Sequence, residues 1–203
     1  MKLKVPGTEG YTAALDKFIE ATVSIDFTEL HHDFIPFIPK SPSRILDLGA
    51  GIGKDSSVLS AMGHSVTAVE PSEALFKAGK KLYPNFGINW IQDALPELKF
   101  LSPDVKFDFI LVSGVWHHLS PEEQHFSMIK VSQLLTKKGI LALSLRNGPA
   151  GVGTHIFPTC TISTIQQAEQ TGLKALLTLE KQPSLLPGKE PVIWSRLVFQ
   201  KIQ

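Results

Sequence analysis

Apolar residues fall into two patterns along this chain. In one they recur at helical spacing, as at Ala14, Leu15, Phe18, Ile19 and Val23 between Thr12 and Ile25. A second short helix is predicted from Thr28 to Phe37, ended by Pro36 and Pro39. In the other pattern short apolar runs read as buried strands. Those runs are Arg44 to Leu48, Ser65 to Glu70, Ile88 to Ile91, Phe107 to Val112, Ile140 to Leu145, Leu173 to Leu179 and Val192 to Ile202. Helical stretches separate the strands. One presents Val58, Leu59 and Met62 on a single face, and another runs from an N-cap at Ser72 to about Tyr83. A third opens on Ser120-Pro121-Glu122-Glu123, a capping sequence with proline at the first helical position. It carries Phe126, Ile129, Leu134 and Leu135 and is expected to close at Lys137, Lys138 and Gly139. A fourth spans Ser163 to Thr171.

Strands alternating with helices predict an α/β fold: a mostly parallel seven-stranded sheet with helices on both faces. Only a Pro/Gly connection, Pro183 to Pro191, joins the last two strands, which implies that the last strand is antiparallel, at one edge. Residues 1–42 are expected to form an N-terminal helical lid over the strand ends, and residues 43–203 the core of a single domain. In that position Tyr11, Phe27, His31 and His32 either face a ligand or pack the lid onto the core. Neighbouring residues on a helix point about 100° apart, so His31 and His32 do not predict a shared metal.

Composition narrows the partners. Lysine plus arginine (20) balance aspartate plus glutamate (19), so no strong positive field is available for nucleic acid. The single cysteine, Cys160, allows no internal disulfide framework and is expected to be a small buried residue. No apolar run reaches the ~20 residues of a membrane span. The opening MKLKVPGTEGY lacks the apolar core of a leader, and a cytoplasmic location is the expectation.

The chemistry gathers where the first strand ends, at Asp47-Leu48-Gly49-Ala50-Gly51-Ile52-Gly53. A strand that passes through glycines into a helix brings its backbone close to a ligand. A dinucleotide fingerprint requires a third glycine or alanine that is missing here: counted from Gly49 the position is Lys54, and from Gly51 it is Ser56. Asp47, expected to face the ligand, would repel a pyrophosphate and attract a cation such as a sulfonium. The second strand ends in Glu70, seventeen residues beyond Gly53, near the offset of a ribose-binding carboxylate. Asp93-Ala94 follows the third strand, and Ser113-Gly114-Val115-Trp116-His117-His118 follows the fourth.

The acid-x-Gly-x-Gly-x-Gly stretch resembles motif I of the class I S-adenosylmethionine-dependent methyltransferases, of the bacterial small-molecule type. The resemblance covers about residues 43–202 and implies a Rossmann-like core. It implies that Asp47, Gly49, Ala50, Gly51, Gly53, Glu70, Pro71, Asp93, Ala94 and Ser113 bind S-adenosylmethionine, with S-adenosylhomocysteine as product. Glu70 would take the ribose hydroxyls, Asp93 the adenine amino group, and the Ala94 N–H the ring. Substrate-facing candidates are Tyr11, Trp116, His117 and His155, with His117 also a candidate base near neutral pH. His118 is expected to brace the loop. The stretch after the fourth strand lacks the Asn/Asp-Pro-Pro-aromatic pattern of amino-group methylation on DNA bases or glutamine. Thr159 before Cys160 is not the Pro-Cys of cytosine methylation, and one cysteine is too few for arsenic methylation. A small O, N or C nucleophile remains as substrate, and no metal is implied. A non-catalytic adenosylmethionine-binding module and an NAD-dependent enzyme are the alternatives.

Overall fold

The computed structural model describes residues 5–6, 8–152, 155–186 and 188–202. Met1–Lys4, Gly7, Gly153, Thr154, Pro187 and Gln203 lie outside the described residues. The strands are β1 (Arg44–Leu48), β2 (Ser65–Val69), β3 (Asn89–Ile91), β4 (Phe107–Val112), β5 (Leu135–Asn147), β6 (Leu173–Pro183) and β7 (Ile193–Lys201). They form one seven-stranded sheet in the order β3-β2-β1-β4-β5-β7-β6. β1 to β5 pair in parallel, and β7 is antiparallel to both β5 and β6. The last strand is thus the antiparallel one. It enters between β5 and β6, which leaves β6 outermost.

The side-chain period of two explains how one sheet serves two cores. Leu46, Ile110, Leu143 and Leu197 point to one face, against Met128 and Val131 of α6 (Pro121–Leu134) and Ala168 of α7 (Thr161–Gln170). Ile45, Phe109, Ala142 and Val198, each one position along, point to the other face. There they meet Leu59 of α4 (Lys54–Ala61) and, from the N-terminal segment, Phe27 and Phe34. α5 (Glu73–Leu82) starts at the predicted Ser72 cap, whose hydroxyl accepts from Leu75 N–H. α6 carries the complete capping box of Ser120 and Glu123. Among the described residues no helix is long and apolar enough to cross a membrane.

Several expected faces differ. Met62 is 48% exposed, and α4 instead buries Ser56, Ser57 and Leu59. Small side chains let this helix start directly beneath the turn that follows β1. Phe126 is exposed, and α6 buries Gln124, Ser127 and Met128. The helix stops at Leu134, because Leu135 already pairs with Phe107 in the sheet. Lys137, Lys138 and Gly139 therefore belong to β5 instead of closing the helix, and Lys138 has a positive φ of 65°. The N-terminal segment is three short helices, α1 (Glu9–Ala13), α2 (Leu15–Ser24) and α3 (Phe27–Leu30), and a single 3-10 turn at Ile35–Phe37. Cys160 is exposed, since it occupies the cap position ahead of α7 where the chain lies at the surface.

Ile110 lies at the centre of β4 with none of its surface exposed. Ile110→Ala is expected to cost about 2–5 kcal/mol, read from a denaturant transition. A loss of well under about 1 kcal/mol would contradict this picture of the core.

Candidate active site

All parallel strands end at the same edge of the sheet, and a cavity of about 450 Å³ opens there. Such a volume suits a small ligand. Along that edge β2 delivers Glu70, β1 the Gly49-Ala50-Gly51 turn, β4 Ser113, and β5 Arg146. β7 runs the other way, so its beginning, Trp194, arrives at the same edge. From the N-terminal segment Tyr11 and Phe18 are among the residues that line the cavity.

The turn after β1 is held by its neighbours. Gly49 and Ala50 N–H both donate to Val69 O, and Gly51 N–H donates 2.8 Å to Glu70 Oε2. Glu70 Oε1 accepts from Ser72 N–H at 2.7 Å. One carboxylate thus ties two strand-to-helix turns together while lining the cavity. Gly49 has φ +72°, and a Cβ there would run into the side chain of Val115. Glycine at this position is required by conformation and close packing together.

Glu70 is 4% exposed. Burial pushes its pKa from 4.5 up to about 8, outweighing the two backbone N–H bonds that favour its charge, and the nearby Asp47 adds to the rise. Asp47 is buried beneath the turn and accepts from Ser56 Oγ at 2.6 Å. Its pKa is raised, mainly by burial and then by Asp55. Asp47 and Gly53 do not line the cavity. The expectation that Asp47 meets the ligand is therefore corrected: at the last inward position of β1 its side chain goes into the protein, beneath the turn.

Asp93 and Ala94 line the cavity, as do Pro71 and Ser113. Asp93 also organises its own loop. Oδ1 accepts from Ala94 N–H at 2.9 Å, and Oδ2 accepts from Phe100 N–H at 2.6 Å and Leu101 N–H at 3.3 Å.

At the β4–β5 end, Tyr11, His117 and His118 line the cavity. His118 Nδ1–H must donate to His155 O, 2.9 Å away, so its neutral ring offers Nε2 as acceptor to Tyr11 O–H at 2.9 Å. His118 braces the loop through this pair of bonds. Burial and then the Glu70 charge push Tyr11 up to about 12, against the Arg146 charge, which lowers it. His117 is pushed down to about 2 by burial, His118 and Arg146, and its Nδ1 has no hydrogen-bond partner among the described residues. That removes the near-neutral titration the base role needs.

Other expected contacts fall elsewhere. Trp116 is fully buried in the core under the cavity and is not part of its wall, because the 3-10 turn Trp116–His118 points it inward. His155 contributes its carbonyl, while its exposed ring lies edge-on to Phe157. His31 is buried and bonds Asp55 at 2.8 Å, tying the N-terminal segment to α4. His32 faces solvent beside Asp33, and Phe27 is in the core. Tyr11 alone of those four lines the cavity. Sequence reasoning missed Phe18, Arg146 and Trp194. Arg146 was findable, since it ends a parallel strand; Trp194 was not, without knowing which way β7 runs.

Residues 45–139, just under half of the chain, match the family model of a methyltransferase domain. Methyltransferases of Bacillus thuringiensis and Bacillus cereus are 29% identical over 130 residues, which cover 61% of this chain and 58% of theirs. The match thus spans less than two thirds of the length of these curated relatives. Among solved structures, a TehB-like SAM-dependent methyltransferase from Corynebacterium glutamicum has a TM-score of 0.71 at 20% identity, over 96% of this chain and 98% of that one. A Burkholderia thailandensis 1,6-didemethyltoxoflavin-N1-methyltransferase, solved with 1,6-didemethyltoxoflavin and S-adenosylhomocysteine, has 0.71 at 17%, over 97% and 85%. At these identities the structures speak to fold alone. Residues 45–139 are thus similar to a methyltransferase domain, and the chain has the fold that these solved methyltransferases share.

The buried carboxylate has a consequence for the ligand-free protein. Folded Glu70 holds a proton up to about pH 8 and the unfolded chain releases it near 4.5, so stability falls as pH rises through that window. His64, His117 and His118, lowered chiefly by burial, oppose this trend only below about pH 7, where the unfolded chain would protonate them. Melting temperature is expected to drop between about pH 7 and about pH 9, and Glu70→Gln to flatten the drop. A flat wild-type profile would contradict the assignment.

Proposed function

We propose that this chain transfers the methyl group of S-adenosylmethionine to an O, N or C nucleophile on a small molecule. The observation that carries the reading is Glu70: a buried carboxylate on the cavity wall, both oxygens steadied by backbone N–H groups. Each oxygen keeps a lone pair for one of two vicinal ribose hydroxyls. Asp93 and the 94–101 loop it folds would border the adenine. The Ala94 N–H is already given to Asp93, so a ring contact there requires an exchange of that bond. Gly49, Ala50, Gly51, Pro71 and Ser113 would line the remaining length of the cofactor, while Asp47 and Gly53 support the turn from below.

The cofactor supplies an activated methyl on a sulfonium with a neutral leaving group. What the chain then has to do is orient the acceptor and exclude water. Phe18 and Tyr11 cover the cavity, and His117, Val152, Ile156 and Trp194 wall its substrate end. That space beyond the cofactor residues favours an enzyme over a non-catalytic binding module. A dinucleotide enzyme would use the same ribose carboxylate; against it stands the third glycine or alanine of the fingerprint, where this chain has Lys54 or Ser56.

Isothermal titration with S-adenosylmethionine or S-adenosylhomocysteine is expected to give micromolar to millimolar binding, and Glu70→Ala to weaken it roughly tenfold or more. Hydroxyls donating to Glu70 favour its charged form, so binding should release a proton and affinity should rise as pH approaches about 8. NADH binding without any response to adenosylmethionine would refute the reading. An affinity untouched by Glu70→Ala would remove Glu70 from the site.

A further inference from the structure

Arg146 and Trp194 reach the cavity as cross-strand partners of β5 and β7, on the same face of the sheet. Arg146 is only 9% exposed. One of its N–H groups, on Nη2, donates to Pro149 O at 2.7 Å. A guanidinium has five N–H donors, and no carboxylate among the described residues pairs with this one. Among the described residues its neighbours at this end of the cavity carry no negative charge. The Tyr11 phenol is held protonated, the His118 lone pair is taken by Tyr11, and His117 is neutral. Glu70 and Asp93 arrive from β2 and β3, strands separated from β5 by β1 and β4. A buried cation without a counter-ion is costly, and the cavity is the open direction in which one can arrive. Trp194, its partner across the strands, lines the same cavity, as do the apolar Val192 and Ile156.

We propose that the methyl acceptor is a small organic acid whose carboxylate pairs with Arg146 while its apolar body lies against Trp194. The inference rests on the methyltransferase reading and narrows its substrate class. A carboxylate suits the site because a planar fork of two N–H groups matches its two oxygens, and one charge balances one charge.

The test is calorimetry on the protein saturated with S-adenosylhomocysteine, titrated with benzoate, benzamide and phenyl phosphate. Benzoate should bind roughly tenfold or more tighter than benzamide. Arg146→Gln should abolish that preference and Arg146→Lys keep part of it. Both variants should bind S-adenosylhomocysteine within about twofold of wild type, which shows the fold intact. Equal binding of benzoate and benzamide, no binding of either anion, or benzoate affinity unchanged in Arg146→Gln would overturn the proposal. So would a preference for phenyl phosphate over benzoate, which assigns the site to phosphates. Should wild type ignore S-adenosylhomocysteine, the cofactor reading fails. The benzoate–benzamide comparison, run without it, still reads the Arg146 site.

Discussion

Glu70 sits between two turns that would otherwise have unpaired backbone donors next to a cavity. Its Oε2 takes the Gly51 N–H from the turn after β1, and its Oε1 takes the Ser72 N–H from the turn after β2. These are adjacent parallel strands, and parallel strands bring their turns to one edge. The bridge therefore sets the shape of the edge where all the remaining chemistry collects. It is built at a cost, because a buried carboxylate is poorly solvated until hydroxyls approach it. Under the proposed function a vicinal diol would relieve that state, because its hydroxyls would donate to the carboxylate.

The other end of the edge follows a different logic. There the ionisable groups are positive or neutral, and the polar contacts run between elements distant in sequence. Tyr11 from the first helix meets His118 after β4, and His118 meets the carbonyl of His155 in the loop after β5. The N-terminal segment is tied down again by His31 on Asp55 and by Lys54, whose ammonium donates to Thr22 O. The cover over the cavity is therefore fastened to the core at several places. Phe18 and Tyr11, half-buried, line the cavity from this segment. A cover anchored in this way suits the proposed methyl transfer, which asks a protein to shield the reactants rather than to contribute a reacting group.

Much of this was legible in the chain. Apolar runs bounded by turn residues located all seven strands, and β1 and β4 match the predicted spans to the residue. Strand ends marked Glu70, Asp93 and Ser113 as cavity residues, because parallel strands separated by helices must share an edge. The same logic failed at Asp47. Side chains alternate along a strand, and whether a terminal acid points up to a ligand or down under the turn depends on how α4 packs, which Ser56 decides. Trp116 and Met62 misled for a related reason. A large apolar residue has the same hydrophobicity wherever it lies, and only neighbours determine whether it fills the core, lines a cavity or faces solvent.

Local pattern and capping chemistry were enough to dictate elements, their order and the antiparallel hairpin, since these depend on residues close together in sequence. The pairing of Arg146 with Trp194, the bond between Tyr11 and His118, and the neutral state of His117 belong to the tertiary structure alone. Each arises from groups that the chain brings together across tens of residues, in surroundings whose burial no linear pattern records.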